Sequence, residues 1–219
     1  KKGVNRVSWD LTRDIESNVV SGSSRSYSPS VRVIPGRYSF NVYTEFNGNV
    51  NKIGSKFFEV ERIRTGVLSN PNLDQIEAFL VDLEKTYKNY SVVNHKFSKI
   101  KRSNKSVPSL ISKTSNYKSY VENYNQIKEM INMIDVFVSG NKSKKDIMEK
   151  DTETISDRLS VAVRGVNSSY GPTSMQISSL NKAKSLITEF DNMLKELSLE
   201  FNKLKNQLEG ELESLILDW

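Results

Sequence analysis

The feature that most constrains this chain is the apolar register of its last quarter. Leu180, Ala183, Ile187, Phe190, Leu194, Leu197, Phe201, Leu204 and Leu208 follow one another at steps of three and four. That spacing lines one narrow face of an α-helix over about four heptads. Gly171-Pro172 punctuates the start, with Pro172 near the first turn, where its missing N–H does no harm. Thr173 can turn its hydroxyl to a free backbone N–H. The pattern predicts a helix over about 173–217, of which the roughly 38 residues from Leu180 onward alone span about 57 Å at 1.5 Å per residue. A helix that long with one apolar seam cannot bury itself. It demands long partners.

The chain upstream offers them. Leu73, Ile76, Leu80, Leu83, Tyr87, Tyr90 and Phe97 predict a helix over about 72–102, with Asn94 as the polar break in its seam and Asn70 or Asn72 available as cap. Tyr117, Tyr120, Tyr124, Ile127, Ile131, Ile134 and Val138 predict a second over about 109–139, stopped by Gly140-Asn141. Ser103 to Pro108 reads as the hairpin turn between them, so the two are expected to run antiparallel. Ile147, Ile155, Leu159, Val163 and Val166 predict a shorter, interrupted helix over about 146–167. Residues 72–219 are thus expected to form an elongated antiparallel helical bundle with coiled-coil-like packing.

Residues 1–64 have the other periodicity. Val7, Trp9 and Leu11 alternate with polar neighbours and predict a half-buried strand from Val4 to Leu11. Thr12 to Ser30 is a Ser-rich connection. Val31–Ile34, Arg37–Glu45 and Lys56–Val60 read as further strands, with Pro35-Gly36 and Asn47-Gly48-Asn49 as turns. Four or five strands are few for a sandwich, which usually has about seven. Together with a start at Lys1-Lys2 rather than Met, this leads us to expect a β module lacking its first strands. The fold class is α+β, mainly α.

Gly3-Val4-Asn5-Arg6-Val7-Ser8-Trp9-Asp10-Leu11, followed after a loop by Val33-Ile34-Pro35-Gly36-Arg37-Tyr38-Ser39-Phe40-Asn41-Val42, resembles the G-x-N-x-V-x-W-D … P-G-x-Y pattern. It marks the Ig-like module after the β-propeller in bacterial exported sortilin (Vps10)-like, BNR-repeat proteins, and similar patterns occur in hook-capping-type Ig-like modules. Val166 to Thr173 resembles the segment before those proteins' final helix. The resemblance implies export to the bacterial periplasm or cell surface, an upstream propeller in the same chain and other envelope proteins as partners. The propeller, which gives that family its glycosidase-like names, is absent from this sequence.

Composition narrows the chemistry. Cysteine is absent, which excludes disulfides, thiolate catalysis and cysteine-ligated zinc. His95 is the single histidine and has no partner in the sequence for general-base or metal work. Asp146, Glu149, Asp151, Glu153 and Asp157 cluster, but without the glycine and closing glutamate of an EF-hand loop. No cofactor is expected. A hydrophobic content of 37% suits thin helices with one buried stripe, and no apolar run reaches the length of a membrane span.

The net charge of +6 is local in origin. Lys85 to Lys118 holds nine Lys or Arg and no acid, whereas Glu189 to Trp219 holds eight acids against three Lys. That distribution is too discontinuous for a nucleic-acid footprint, so none is expected. Lys96, Lys99, Lys101, Arg102, Lys105 and Lys113 form the candidate interaction surface, at the distal tip of the expected hairpin. The bland explanation is a solvated helix end whose cations suit the helix dipole. The function that follows is a non-catalytic scaffold or docking region. The alternatives are an accessory domain of a sialidase-like glycoside hydrolase, with catalytic residues outside this piece, or a component of an envelope secretion or motility assembly.

Overall fold

The computed structural model describes residues 6–15, 30–63, 72–115, 117–149, 151–164 and 171–217, giving only the backbone for Asp14 and 212–217. The described chain is mainly helical, with two small antiparallel sheets of two strands each.

The N-terminal strand differs from expectation. Residues 6–11 are not a strand; β1 is Thr12–Asp14, inside the stretch read as connection, and it pairs with β2, Ser30–Arg32. Leu11 has a left-handed backbone with φ of 60°, and Asp10 accepts hydrogen bonds from the Thr12 N–H and hydroxyl. An aspartate that closes a local turn on the residue two ahead competes with strand pairing, and here the turn wins. Behind this sheet Ile15 and Val31 are buried in the same core as the helices, and Arg13 pairs with Glu77 at 3.1 Å.

The second sheet is a long ribbon, β3 Gly36–Phe46 and β4 Asn49–Val60. Asn47 and Gly48 turn it with φ of 51° and 77°, the positive pair that matches the twist of a two-residue hairpin. A register shift after Val42 pairs Val42 with Gly54 and Tyr43 with Lys52, leaving Ile53 as the extra residue of a bulge. Trp9 packs on the base of one ribbon face, with ring centroids 5.6 Å from Tyr38 and 5.8 Å from Phe58. The tyrosine hydroxyl donates to the Ile34 carbonyl at 2.6 Å.

Among the described residues six helices follow: α1 Leu73–Asn104, α2 Val107–Ile111, α3 Tyr117–Ser139, α4 Lys142–Asp146, α5 Ile155–Arg164 and α6 Ser174–Leu217. Asn72 caps α1, accepting from the Asp74 and Gln75 N–H groups. Thr173 and Gln176 cap α6 reciprocally: each backbone N–H donates to the other's side chain, at 2.8 and 3.3 Å. Gly140, at φ of 75°, ends α3 with its N–H on the Val136 carbonyl.

Two expected elements break. The helix read over 109–139 is α2 plus α3, and the segment read over 146–167 becomes α4 and α5, with a non-helical stretch at 151–154. Pro108 does not close a turn. It lies in the first turn of α2, where a residue with fixed φ and no N–H is preferred. Ile147, expected in a seam, is exposed, and Val166 lies outside the described residues.

α6 is the common partner. α1, α3 and α5 all pack on it, while α1 and α3 barely approach one another. Asp82 meets Lys184, and Lys96 to Ser103 lie opposite Ser198 to Lys205, so α1 and α6 run parallel. Ser115 meets Glu211, and Asn123 to Met130 lie opposite Glu200 to Gln207, so α3 runs antiparallel to α6. The first two long helices therefore run antiparallel to one another and meet at the Lys101–Asp135 ion pair, while each packs more extensively on α6. All nine residues of the α6 seam are buried, and Phe97 meets Phe190 edge to face at 5.7 Å. In α1, Phe79, Thr86 and Val93 join the seam, and Val93 fills the place where Asn94 had suggested a break.

Candidate functional site

The basic stretch of α1 is held by a well-formed helix, and its cations leave in different directions. Lys101 turns toward α3, where its ammonium lies 2.6 Å from Asp135 and 5.4 Å from the Phe97 ring centroid. Lys96 and Lys99 turn the other way, into a groove between α1, α2 and α6. Arg102, Lys105 and Lys113 line neither place. The six residues do not converge on one tip. Helical geometry explains it: a rotation of about 100° per residue separates 99 and 101 by more than half a turn.

The groove has a volume of about 570 Å³. Ile100, Val107, Leu110, Phe201, Leu204 and Leu208 make its apolar floor, and Ser103, Ser106, Ser198 and Asn202 add hydroxyl and amide groups. Its rim is basic. Lys96, Lys99 and Lys205 face a single carboxylate, Glu209, among the described lining residues, and that group lies 3.5 Å from Lys205. Lys96 and Lys99 have no carboxylate partner among the described residues, so their charge is left for solvent or a ligand. An apolar trough with unneutralised ammonium groups along one wall suits an acidic, amphipathic occupant.

Two members of the acidic cluster read in the sequence, Asp151 and Asp157, serve as helix punctuation. Asp151 accepts from the Asn141 backbone N–H, which holds its carboxyl below the ordinary range, with Lys144 helping at 3.7 Å. Asp157 and Thr154 cap α5 reciprocally, at 3.0 Å for the Thr154 N–H and 3.2 Å for the Asp157 N–H. Burial would raise the Asp157 carboxyl, but hydrogen bonds from Thr154, aided by Lys145, outweigh it and lower it. Among the described residues no group of three or more His, Asp or Glu could hold a metal ion. His95 is half-buried on α1.

Two features escaped the sequence reading. The groove needs α2, a separate five-residue helix that the sequence reads partly as a turn and partly as the start of the next long helix. The exposure of the ribbon is the other. Phe40, Tyr43, Phe46, Val50, Ile53 and Phe57 are all at least half exposed, on both faces of the ribbon and at its bulge, where the sequence reads only as strands. Strand periodicity says which residues share a face, not whether anything covers it. No helix among the described residues is long and apolar enough to cross a membrane. No family model, no curated protein and no solved structure matches this chain.

Proposed function

We propose that this chain is a non-catalytic scaffold and docking region: an Ig-like β module that carries an elongated helical bundle with coiled-coil-like seams. It belongs to an exported bacterial envelope protein, in the periplasm or at the cell surface, and docks on a β-propeller upstream in the same chain. The observation that carries this reading is the β3–β4 ribbon. It has two strands, its outer edges have no partner strand among the described residues, and its Phe40, Tyr43, Phe46 and Phe57 are at least half exposed. A two-stranded ribbon is marginal by itself in water, and an open edge with an apolar face invites further strands. The tryptophan and Pro-Gly-x-Tyr residues that resemble the exported family's module sit at the base of this ribbon, packed on one another. The base is in turn fastened to the helices through Arg13–Glu77. Strands added to the ribbon would therefore anchor the helical arm to the body of the larger protein.

The test is hydrogen exchange at residues 36–60, in this chain alone and in the longer protein that includes the upstream region. The ribbon's outward amides should exchange quickly in the first and slowly in the second. Equal protection in both would refute strand addition. Turnover of a glycoside or peptide by the purified chain, abolished by a single substitution, would refute the non-catalytic reading.

A further inference from the structure

The groove between α1, α2 and α6 is polarised along its length. Lys96 and Lys99 stand at one end without a carboxylate partner among the described residues, and Asn202 of α6 lines the groove at about their level. At the other end Glu209 lies 3.5 Å from Lys205, so that cation is matched within the protein. Between the ends the floor is apolar, from Ile100 and Phe201 through Leu204 to Leu110 and Leu208. An unmatched cationic end followed by an apolar floor complements a molecule with one anionic head and one apolar tail. Size sets the tail. The lining runs along α6 from Ser198 to Glu209, about 16 Å at 1.5 Å per residue. A zigzag of carbon–carbon bonds advances about 1.25 Å per methylene, so an extended chain of about 13 carbons matches that length. The groove's volume of about 570 Å³ lies within the range of small-molecule sites. A peptide helix about 10 Å across, laid along the same length, would need roughly twice that volume and would stay largely outside.

We propose that this groove binds a straight-chain fatty carboxylate of about 12–14 carbons. Its head lies between Lys96 and Lys99, and its tail runs over Phe201 and Leu204 toward Leu110 and Leu208. The two ammonium groups and the Asn202 amide donate to the carboxylate oxygens, and charge-assisted bonds of this kind are the strong ones. Removal of the tail from water supplies the rest, each covered methylene tightening binding by up to about fourfold. Charge thus sets the direction in which the molecule lies, and the length of the floor sets how long a tail it rewards. The site shares no residue with the ribbon and does not depend on what the ribbon binds.

Isothermal titration calorimetry of the whole chain with sodium octanoate, decanoate, dodecanoate, tetradecanoate and hexadecanoate, each below its micelle concentration, tests the proposal. Affinity should climb steeply as far as tetradecanoate and gain less than about twofold beyond it, where the floor ends. Tetradecyltrimethylammonium, with the same tail and the opposite head, should bind at least about tenfold more weakly than tetradecanoate. Lys96→Glu with Lys99→Glu should reverse that preference with helical circular dichroism unchanged, since both side chains are exposed. Lys105→Glu with Lys113→Glu makes the same change of net charge outside the groove, also at exposed positions, and should leave the preference as it is. No binding of any carboxylate, or equal binding of the two heads, would overturn the proposal. So would equal effects of the two double substitutions, or an affinity that keeps climbing past tetradecanoate, which would put the tail on an open surface such as the ribbon. A leucine–glutamate amphipathic peptide that binds where tetradecanoate does not, and is lost on reversal of Lys96 and Lys99, would overturn it too and give the groove to a helix.

Discussion

The α6 seam and the β3–β4 ribbon are both built from apolar residues at regular spacing, yet they meet opposite fates. None of the nine seam residues is more than 8% exposed, whereas on the ribbon Phe46 is 76% and Phe57 61% exposed. The difference is the number of partners. α6 has α1, α3 and α5 around it; the ribbon has Trp9 at its base and one strand beside each strand. A periodic pattern specifies a face, and only neighbouring elements turn that face into a core. The consequence is an uneven distribution of stability, with cooperative unfolding centred on α6 and local opening at the ribbon.

The strongest way to break this comparison is at the seam. Leu197 is fully buried, so Leu197→Ala should cost about 2–5 kcal/mol. Lys195 is exposed, with a surface ion pair to Asp191 one turn away and a long hydrogen bond to Asn192, so Lys195→Ala should change stability by less than about 0.5 kcal/mol. Thermal melts followed by helical circular dichroism compare them directly. Equal losses would mean that α6 is not the centre of the core.

A second substitution sharpens the other half. Tyr38→Ala removes the ring contacts to Trp9 and Phe58 and the hydrogen bond to the Ile34 carbonyl. The expected loss is about 1–2 kcal/mol, confined to the ribbon. Exchange at 36–60 should accelerate while the helical melt stays where it is. A parallel drop in the helical melt would show that ribbon and helices unfold as one unit.

The smallest effects belong to the cap that joins α4 to α5. Thr154→Ala removes a reciprocal N-cap and should cost about 1 kcal/mol. Asp157 adds a pH dependence of definite sign. Its folded carboxyl is lowered below the ordinary 3.8, so its contribution is complete above that ordinary value and is lost as pH falls through the lowered one. Asp157→Asn should therefore flatten the acid limb of stability against pH in that window and leave the slope at neutral pH unchanged. An unaltered acid limb would place the protonation elsewhere.

Legibility followed the range of the interaction. The long helices were readable because their seams repeat over many turns; even so, Asn94 suggested a break that Val93 fills from the adjacent helical position. The strand around Trp9 was misplaced because a local Asp10–Thr12 turn outweighs alternation over a few residues. Of the candidate site, the sequence showed the excess of positive charge between Lys85 and Lys118 but not its division. Lys101 belongs to an ion pair with α3, and Lys96 and Lys99 belong to a groove whose other wall comes from residues about a hundred positions later.

What the amino-acid sequence determined unaided was the set of faces: the seam of α6, the cap at Thr173, the Asn47-Gly48 turn and the opposed charges of 85–118 and 189–219. Each rests on contacts within a few residues, or on a period that local geometry imposes. The tertiary structure decided which faces met. It packed both α1 and α3 on α6, ran α1 parallel to it, split α2 off as one wall of a groove, and left the ribbon open. Those outcomes depend on which apolar faces find one another across long loops, a competition among compact arrangements that no local pattern encodes.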